Sequence, residues 1–246
     1  MLRPLWQRVL KYNWSFGLLL ILVMGIPRFI VVLHANVTGN YKAVSFIFVL
    51  MMLSPLIFLT REARRYIGIK RPENYPWLFY AFLGGICVCS VSFFISEILF
   101  HQTMDNAFVY ISRSYAVSGM LMNQSDRFMY FAIYGVIGMT VSPIGEEIFY
   151  RGVIHGSFAV HSGEERASIY DSTAFAFTHL AHFGIIYVSG QWSFLFLPSL
   201  LWVFFMFIAS RVFFLCKQKT GSILGAVLSH AGFNLAMMYF IFYHIF

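Results

Sequence analysis

The sequence predicts an all-α membrane protein, a polytopic bundle of about seven transmembrane helices, with eight as the alternative. Of its 246 residues, 59% are hydrophobic and 11% are charged, whereas soluble domains have about 45–50% apolar and about 25% charged residues. Apolar runs of roughly 20 residues also recur along the chain, as is typical of helices that cross a bilayer. This composition excludes an ordinary soluble domain, a disordered chain and a nucleic-acid-binding module.

Seven apolar runs account for the predicted helices, and each is near the roughly 30 Å that a helix needs to cross the hydrocarbon. The fourth run continues past Pro143. The longest polar connection, 101–127, predicts a short surface helix or a loop over the membrane face. The runs are Trp14–Leu33, Ala43–Leu59, Trp77–Phe100, Phe128–Val141, Ser168–Val188, Phe194–Leu215 and Ser222–Phe246.

The distribution of basic residues predicts the orientation of this bundle. Thirteen Lys and Arg residues fall in the connections on one side of a seven-helix arrangement, and three fall on the other. The positive-inside rule then places the N-terminus in the cytoplasm and the C-terminus outside. The basic N-terminus resembles the start of a signal peptide, but no small-residue cleavage site follows at the right distance, so we expect a retained helix. Three cysteines in or beside apolar runs predict no disulfide framework.

Charged side chains inside the apolar runs are candidates for a functional site, because burying a charge there costs roughly 2.5–3.5 kcal/mol. Arg28 and Glu97 lie near the ends of their runs, so we expect their side chains to reach the membrane interface. We expect His182 to be an ordinary hydrogen-bonded histidine. The remaining polar residues fall on three helices in the second half of the chain.

The first of these helices carries two adjacent carboxylates. Glu147 and Arg151 are four residues apart and can form an ion pair on a helix, whereas Glu146 points about 100° away and is free to face a cavity. This difference predicts one general base and one structural partner. The alternative is a solvated charge patch beside the membrane.

The other two helices carry imidazoles. Phe175 and His179 share a helix face, which places an aromatic ring beside His179. His230 and Asn234 also share a face, and both can donate hydrogen bonds to a developing oxyanion. The alternatives are a core histidine and polar contacts between membrane helices. Since the helical rise places all three clusters at similar depth, in the cytoplasmic half of the bilayer, together they predict a hydrolytic site.

Three spaced motifs also resemble those of a known family. They are Glu-Glu-x-x-x-Arg at 146–151, Phe-x-x-x-His at 175–179 and His-x-x-x-Asn at 230–234. In this order and on separate helices, they resemble the CAAX-protease and bacteriocin-processing family of intramembrane glutamate-type proteases, related to the type II CAAX prenyl endopeptidase. The resemblance covers about 128–246 and predicts a catalytic core there, preceded by N-terminal helices and a loop over 1–127.

The resemblance implies a role for each matching residue. Glu146 and His179 would activate a water molecule, and His230 and Asn234 would line the oxyanion site. The remaining two positions, Glu147 and Arg151, would support this arrangement.

We therefore predict an intramembrane endopeptidase that cleaves a membrane-associated peptide or protein tail, with its site open toward the cytoplasmic half of the bilayer. The expected partners are this substrate and the lipid bilayer, without nucleic acid, cofactor or metal. Prenylated C-termini and bacterial leader peptides are alternative substrates. Two other functions stay open: a metal-dependent membrane protease, although the His-Glu-x-x-His spacing is missing, and a non-catalytic membrane scaffold.

Overall fold

The computed structural model describes residues 1–115, 117 and 123–246, and it confirms the predicted all-α bundle. Short π-helical turns extend three of the helices, at Ile21–Gly25, Ile148–Ile154 and Ile241–Ile245. The helices are α1 (Pro4–Gln7), α2 (Trp14–Leu20), α3 (Ile26–Thr38), α4 (Lys42–Phe58), α5 (Arg61–Tyr66), α6 (Pro76–Phe100), α7 (Ala107–Ser112), α8 (Gln124–Glu147), α9 (His155–Thr178), α10 (Phe196–Thr220) and α11 (Ile223–Phe240).

Within the described residues, five helical stretches are long and apolar enough to cross a membrane. The apolar helix α4 is shorter, with 17 residues. One stretch is 58 residues long, and Gly163, with a φ of +75°, interrupts its helical backbone. The exact number of spans stays a prediction. The five stretches are Trp14–Thr38, Pro76–Phe100, Gln124–Ala181, Phe196–Thr220 and Ile223–Ile245.

Polar caps set several helix ends. The side chains of Asn13, Asn123 and Ser222 accept hydrogen bonds from backbone amides in the first turns of α2, α8 and α11, which satisfies donors that a helix start leaves unpaired. Gly39 and Gly221 adopt the left-handed conformation just after α3 and α10, where glycine closes a helix at little cost.

The predicted helix over Ser168–Val188 is wrong at its C-terminal end. The helical backbone ends with a 3₁₀ turn at His179–Ala181, and strand β1 (Ile185–Val188) then pairs antiparallel with β2 (Gln191–Phe194). Ser189 and Gly190 between them both have positive φ, at 52° and 82°, as a tight two-residue hairpin turn requires. A short apolar run by itself does not distinguish a strand from the end of a buried helix.

The polar connection over 101–127 contributes to the core. It forms the short helix α7, but Phe108 in this helix is fully buried and packs against Phe93 and Phe240. The connection is therefore not a surface helix along the part that the structure describes. Positions 116 and 118–122 of this connection lie outside the described residues.

The centre of the bundle is α11, which packs against α6, α8 and α10. A Cβ atom added at Gly85 of α6 would lie 1.7 Å from the backbone oxygen of Ser229, and one at Gly232 of α11 would lie 2.2 Å from that of Phe82. The two backbones approach closely because these positions carry no side chain. This contact holds α11, and with it His230, firmly in place.

Candidate active site

The structure brings all six predicted site residues to one place. Glu146, His179, His230 and Asn234 line a single cavity of about 340 Å³. They come from the end of α8, from the turn after α9 and from α11. The last two residues, Glu147 and Arg151, lie behind this cavity and are fully buried.

Glu147 forms the ion pair that its spacing predicts and also orients a histidine. Its Oε2 atom lies 3.1 Å from Nε of Arg151, and its Oε1 atom lies 2.8 Å from Nδ1 of His230. Since an ionised carboxylate only accepts hydrogen bonds, Nδ1 of His230 carries a proton and donates it. The other ring nitrogen, Nε2, then faces Glu146, with 3.7 Å to its Oε2 atom.

Arg151 lies on the π-helical turn Ile148–Ile154, directly after the two carboxylates. Its guanidinium covers the ring of Phe175 at 4.1 Å from the centroid, an arrangement that cation–π attraction favours. The backbone oxygen of Arg151 accepts a hydrogen bond of 2.7 Å from Lys217 Nζ. A π-helical turn inside an α-helix is frequent at functional sites.

Two further ionisable residues, Asp171 and His155, extend this arrangement, and sequence reasoning missed both. Asp171 Oδ1 lies 3.9 Å from Nε of Arg151, and Asp171 Oδ2 lies 2.7 Å from Nδ1 of His155. The opposite ring nitrogen of His155 contacts the partly exposed Glu164 at 2.8 Å. A carboxylate inside an apolar run, one turn before Phe175, was the signal that could have pointed to Asp171.

Arg28 also belongs to the site, and its predicted position at the membrane interface is wrong. The helical stretch extends from Trp14 to Thr38, which places Arg28 ten residues from its nearer end, about 15 Å at the rise of an α-helix. The side chain is 1% exposed, forms an ion pair with Glu146 and lines the cavity. Glu146 therefore faces a cavity, as predicted, but it is not free of a charged partner.

The two histidines that follow α9 also lie at the cavity. His179 Nδ1 lies 2.7 Å from the backbone oxygen of Phe175, so it donates there and leaves Nε2 as an acceptor. The ring of Phe175 lies 4.2 Å from that of His179, as predicted. His182, which we expected to be unremarkable, accepts at Nε2 from Arg28 Nη2 at 3.3 Å.

Asn234 links two helices at the cavity wall. Its Nδ2 atom donates to the backbone oxygen of Gly138 at 2.8 Å and lies 3.4 Å from Oγ of Ser142. Both acceptors belong to α8. This is the polar contact between membrane helices that we considered as an alternative, and its role at an oxyanion stays a prediction.

The cavity extends from Glu146 toward one end of the bundle. From Glu146 its lining continues toward Tyr41, Ser114 and Tyr134, at the end of the bundle opposite to the basic connections. Glu147 and Arg151, outside this lining, are fully buried. Part of the lining, at Ser45, Ile137 and Val141, is exposed on the side of the bundle. These residues belong to α4 and α8, so part of the cavity wall borders the outer surface of the bundle along these two helices.

The lining near the opposite end includes a hydroxyl that connects three segments. Tyr41 donates to Asn36 Oδ1 at 2.8 Å, and its oxygen lies 2.8 Å from Ser114 Oγ. Burial raises the pKa of the Tyr41 hydroxyl, so this group stays protonated at neutral pH and keeps the hydrogen bond that it donates to Asn36.

Metal ligation was one of the alternatives for this site. Among the residues that the structure describes, no group of three or more His, Cys, Asp or Glu side chains is placed to hold a metal ion. The carboxylates at the cavity instead contact guanidinium and imidazole groups.

The family comparison agrees with this geometry. Residues 127–236 match the family model described as type II CAAX prenyl endopeptidase Rce1-like. Over this segment the chain is similar to that family. The match confirms the resemblance that the three motifs indicate, and it implies the activity of a CAAX intramembrane protease in general terms. No curated protein and no solved structure matches the chain.

The six predicted site residues all lie within the segment that matches this family model. Arg28 lies outside it and reaches the same cavity from α3. The N-terminal helices thus contribute to the site and do not merely precede it.

Proposed function

We propose that this chain is an intramembrane endopeptidase that cleaves the tail of a membrane-anchored peptide or protein. The observation that supports this best is the convergence of Glu146, His179 and His230, from three separate segments, on one largely apolar cavity. Since the matching family model is named for CAAX prenyl endopeptidases, a prenylated C-terminal tail is the first substrate to test.

Glu146 acts as the general base in this proposal. As the oxygen of a water molecule attacks the peptide carbonyl carbon, Glu146 takes one proton from it, and His179 Nε2 accepts a second hydrogen bond that orients the water. The C–N bond then breaks. Glu146 returns the proton to the leaving nitrogen, so that one water is consumed for each bond cleaved.

The other predicted residues support this step. Glu147, neutralised by Arg151, holds His230 with Nε2 toward Glu146. We assign His230 and Asn234 to the carbonyl oxygen, where negative charge develops. For this, Asn234 must turn an N–H away from α8, and His230 must carry a proton on Nε2.

Access and orientation form a separate part of the proposal. A lipid-anchored tail enters from the bilayer along α4 and α8, where part of the cavity lining is exposed. With Arg151 buried at the site, twelve of the basic residues counted above remain on the predicted cytoplasmic side, against three. A cytoplasmic reporter should be active when fused after Lys70 or Lys219 and silent after Asn123. The opposite pattern would reverse the orientation.

The test of activity uses the purified chain in liposomes with a farnesylated peptide that ends in a CAAX sequence. We expect mass spectrometry to show cleavage of this peptide by the wild type and none by Glu146→Gln. The same peptide without the farnesyl group is the control for membrane anchoring. Equal cleavage by both enzymes, or by neither, would contradict the proposal.

Two further measurements distinguish the alternative functions. Stoichiometric zinc that activity requires would favour the metal-dependent protease. In cells, we expect an uncleaved membrane peptide to accumulate with Glu146→Ala. A Glu146→Ala chain that retains the full cellular phenotype would favour the scaffold.

A further inference from the structure

Several hydrogen-bond donors at the cavity already donate to an acceptor of the protein itself. His179 donates to a backbone oxygen, His230 donates to Glu147, and Asn234 donates to α8. Trp202, also in the lining, donates from Nε1 to the backbone oxygen of His179. Each of these groups must give up a contact before it can bind a substrate oxygen through the same N–H.

Arg28 is different. Its Nη2 atom contacts Glu146 and His182, but its Nε and Nη1 atoms are buried without a hydrogen-bond partner in the described part of the chain. An unsatisfied buried donor is costly, and a charged one inside a membrane span is a candidate for function. A substrate oxygen that accepts a hydrogen bond from Nε or Nη1 of Arg28 would remove this cost.

The contacts of Nη2 place the guanidinium of Arg28 beside the proposed reacting centre. Glu146, to which it is paired, is the proposed base for the attacking water. The guanidinium also lies 5.5 Å from the ring centroid of Phe48, another residue of the cavity lining. A guanidinium presents several N–H donors in a fixed plane and stays charged at any physiological pH.

We propose that Arg28 is a catalytic residue, whose guanidinium donates to the oxyanion that forms on the carbonyl of the cleaved peptide bond. This inference rests on the proposed peptidase function. In the resting site Arg28 occupies Oε1 of Glu146. This contact is kept: Oε2 of Glu146, which lies 3.7 Å from Nε2 of His230, takes the proton from water, and Nε or Nη1 of Arg28 donates to the carbonyl oxygen as charge builds on it. No new covalent step is needed.

A purely structural role of Arg28 predicts a different result for Arg28→Lys. If Arg28 only balances the charge of Glu146, a lysine should serve as well, because it carries the same charge. If Arg28 binds the oxyanion, the fixed plane of donors matters, and Arg28→Lys should lower kcat with little change in KM, since the oxyanion exists only in the transition state.

The test measures kcat, KM and melting temperature of Arg28→Lys and Arg28→Ala on the farnesylated peptide in liposomes. Arg113→Lys, an exposed position on the 101–127 connection, is the matched control and should behave as wild type. For Arg28→Ala we expect kcat to fall by roughly 10²–10³-fold, as for other lost oxyanion donors, and added guanidinium at non-denaturing concentration to restore part of the rate. For Arg28→Lys we expect a smaller loss of kcat and a near-normal melting temperature.

The possible failures are distinguishable. Wild-type cleavage together with an unchanged kcat in Arg28→Lys would overturn this inference and leave the peptidase function intact. A folded Arg28→Ala enzyme whose rate guanidinium does not raise would also assign Arg28 a structural role. Absence of cleavage by the wild type would overturn the proposed function, and this inference with it.

Discussion

Glu146 and Glu147 are neighbours in sequence, yet they point into two regions of opposite character. Glu147 belongs to a closed network, which we define as Glu147, Arg151, Asp171 and His155; each of these side chains is at most 1% exposed. Glu146 points into the cavity, where two donors of Arg28 have no hydrogen-bond partner among the described residues. The closed network pairs opposite charges inside the protein, although the guanidinium of Arg151 also has donors without a hydrogen-bond partner in the described chain. Glu146 differs from Glu147 in bordering a cavity that can hold a substrate.

Two adjacent residues of α8 therefore have different roles: Glu146 lines the cavity, and Glu147 holds the structure behind it. A buried ion pair adds little net stability, but breaking it by removing one partner is strongly destabilising. The closed network therefore fixes geometry, and it acts on the cavity through His230, which contacts Glu147 at one ring nitrogen and faces Glu146 with the other. Variants in the two regions should accordingly differ in what they change.

The largest effect should come from the cavity carboxylate. Glu146→Gln should lower the rate by roughly 10²–10⁴-fold, the usual contribution of a general base. It should also lower the melting temperature, because Arg28 loses its ion-pair partner. The double variant Arg28→Met/Glu146→Gln should recover stability without recovering activity. A near-normal rate for Glu146→Gln on the farnesylated peptide would remove Glu146 from the chemistry.

Substitutions in the closed network should mainly lower the stability of the protein. Glu147→Gln leaves a buried arginine short of its nearest carboxylate and should cost about 3–5 kcal/mol of unfolding free energy, with activity lost because His230 is no longer oriented. Asp171→Asn should cost less, since Asp171 lies farther from Arg151. Thermal unfolding and rate per folded protein measure both. A Glu147→Gln chain with wild-type stability would show that the network does not hold this region together.

The two roles considered for Asn234, in catalysis and in helix packing, predict different results for Asn234→Ala. If it donates to the oxyanion, Asn234→Ala should lower kcat by roughly 10²–10³-fold, and its effect should not add to that of His230→Ala. If it only ties α11 to α8, the loss should be about 0.5–1.5 kcal/mol of stability, with full activity per folded molecule. We expect the first outcome, and kcat, KM and melting temperature of the two single variants and the double variant distinguish them.

The sequence predicts contacts between residues that are close together on one helix. The pairing of Glu147 with Arg151 and the stacking of Phe175 beside His179 follow from positions four residues apart on a helix, and both are present in the structure. The motif order likewise predicted which helices meet. These inferences need no knowledge of how distant helices pack.

The features that were missed depend on packing between distant segments. Arg28 reaches Glu146 across 118 positions of sequence, and no spacing rule relates them. The side of the membrane on which the site opens stays a prediction, because helix depth places residues along the membrane normal but does not show which end of the bundle is filled. The hairpin was missed because its apolar strand β1 continues the apolar run of a helix.

The smallest effect we predict concerns the contact that positions α11 between the two regions. Gly85→Ala would place a methyl group against the backbone of Ser229, next to His230, and α6 and α11 would have to move apart. Overpacking of this kind costs typically 1–3 kcal/mol. Gly84→Ala is the matched control, because a Cβ atom there would lie 3.7 Å from Val212 Cγ1, at an ordinary contact distance.

We expect Gly85→Ala to lose both stability and activity, and Gly84→Ala to retain both. The loss of activity should exceed the loss of folded protein, because a shift of α11 moves the imidazole that contacts Glu147 on one side and faces Glu146 on the other. Melting temperature and rate per folded molecule measure the two losses separately. A Gly85→Ala chain that loses stability but keeps the wild-type rate would show that the position of His230 tolerates movement of α11. The closed network and the cavity would then be independent of each other.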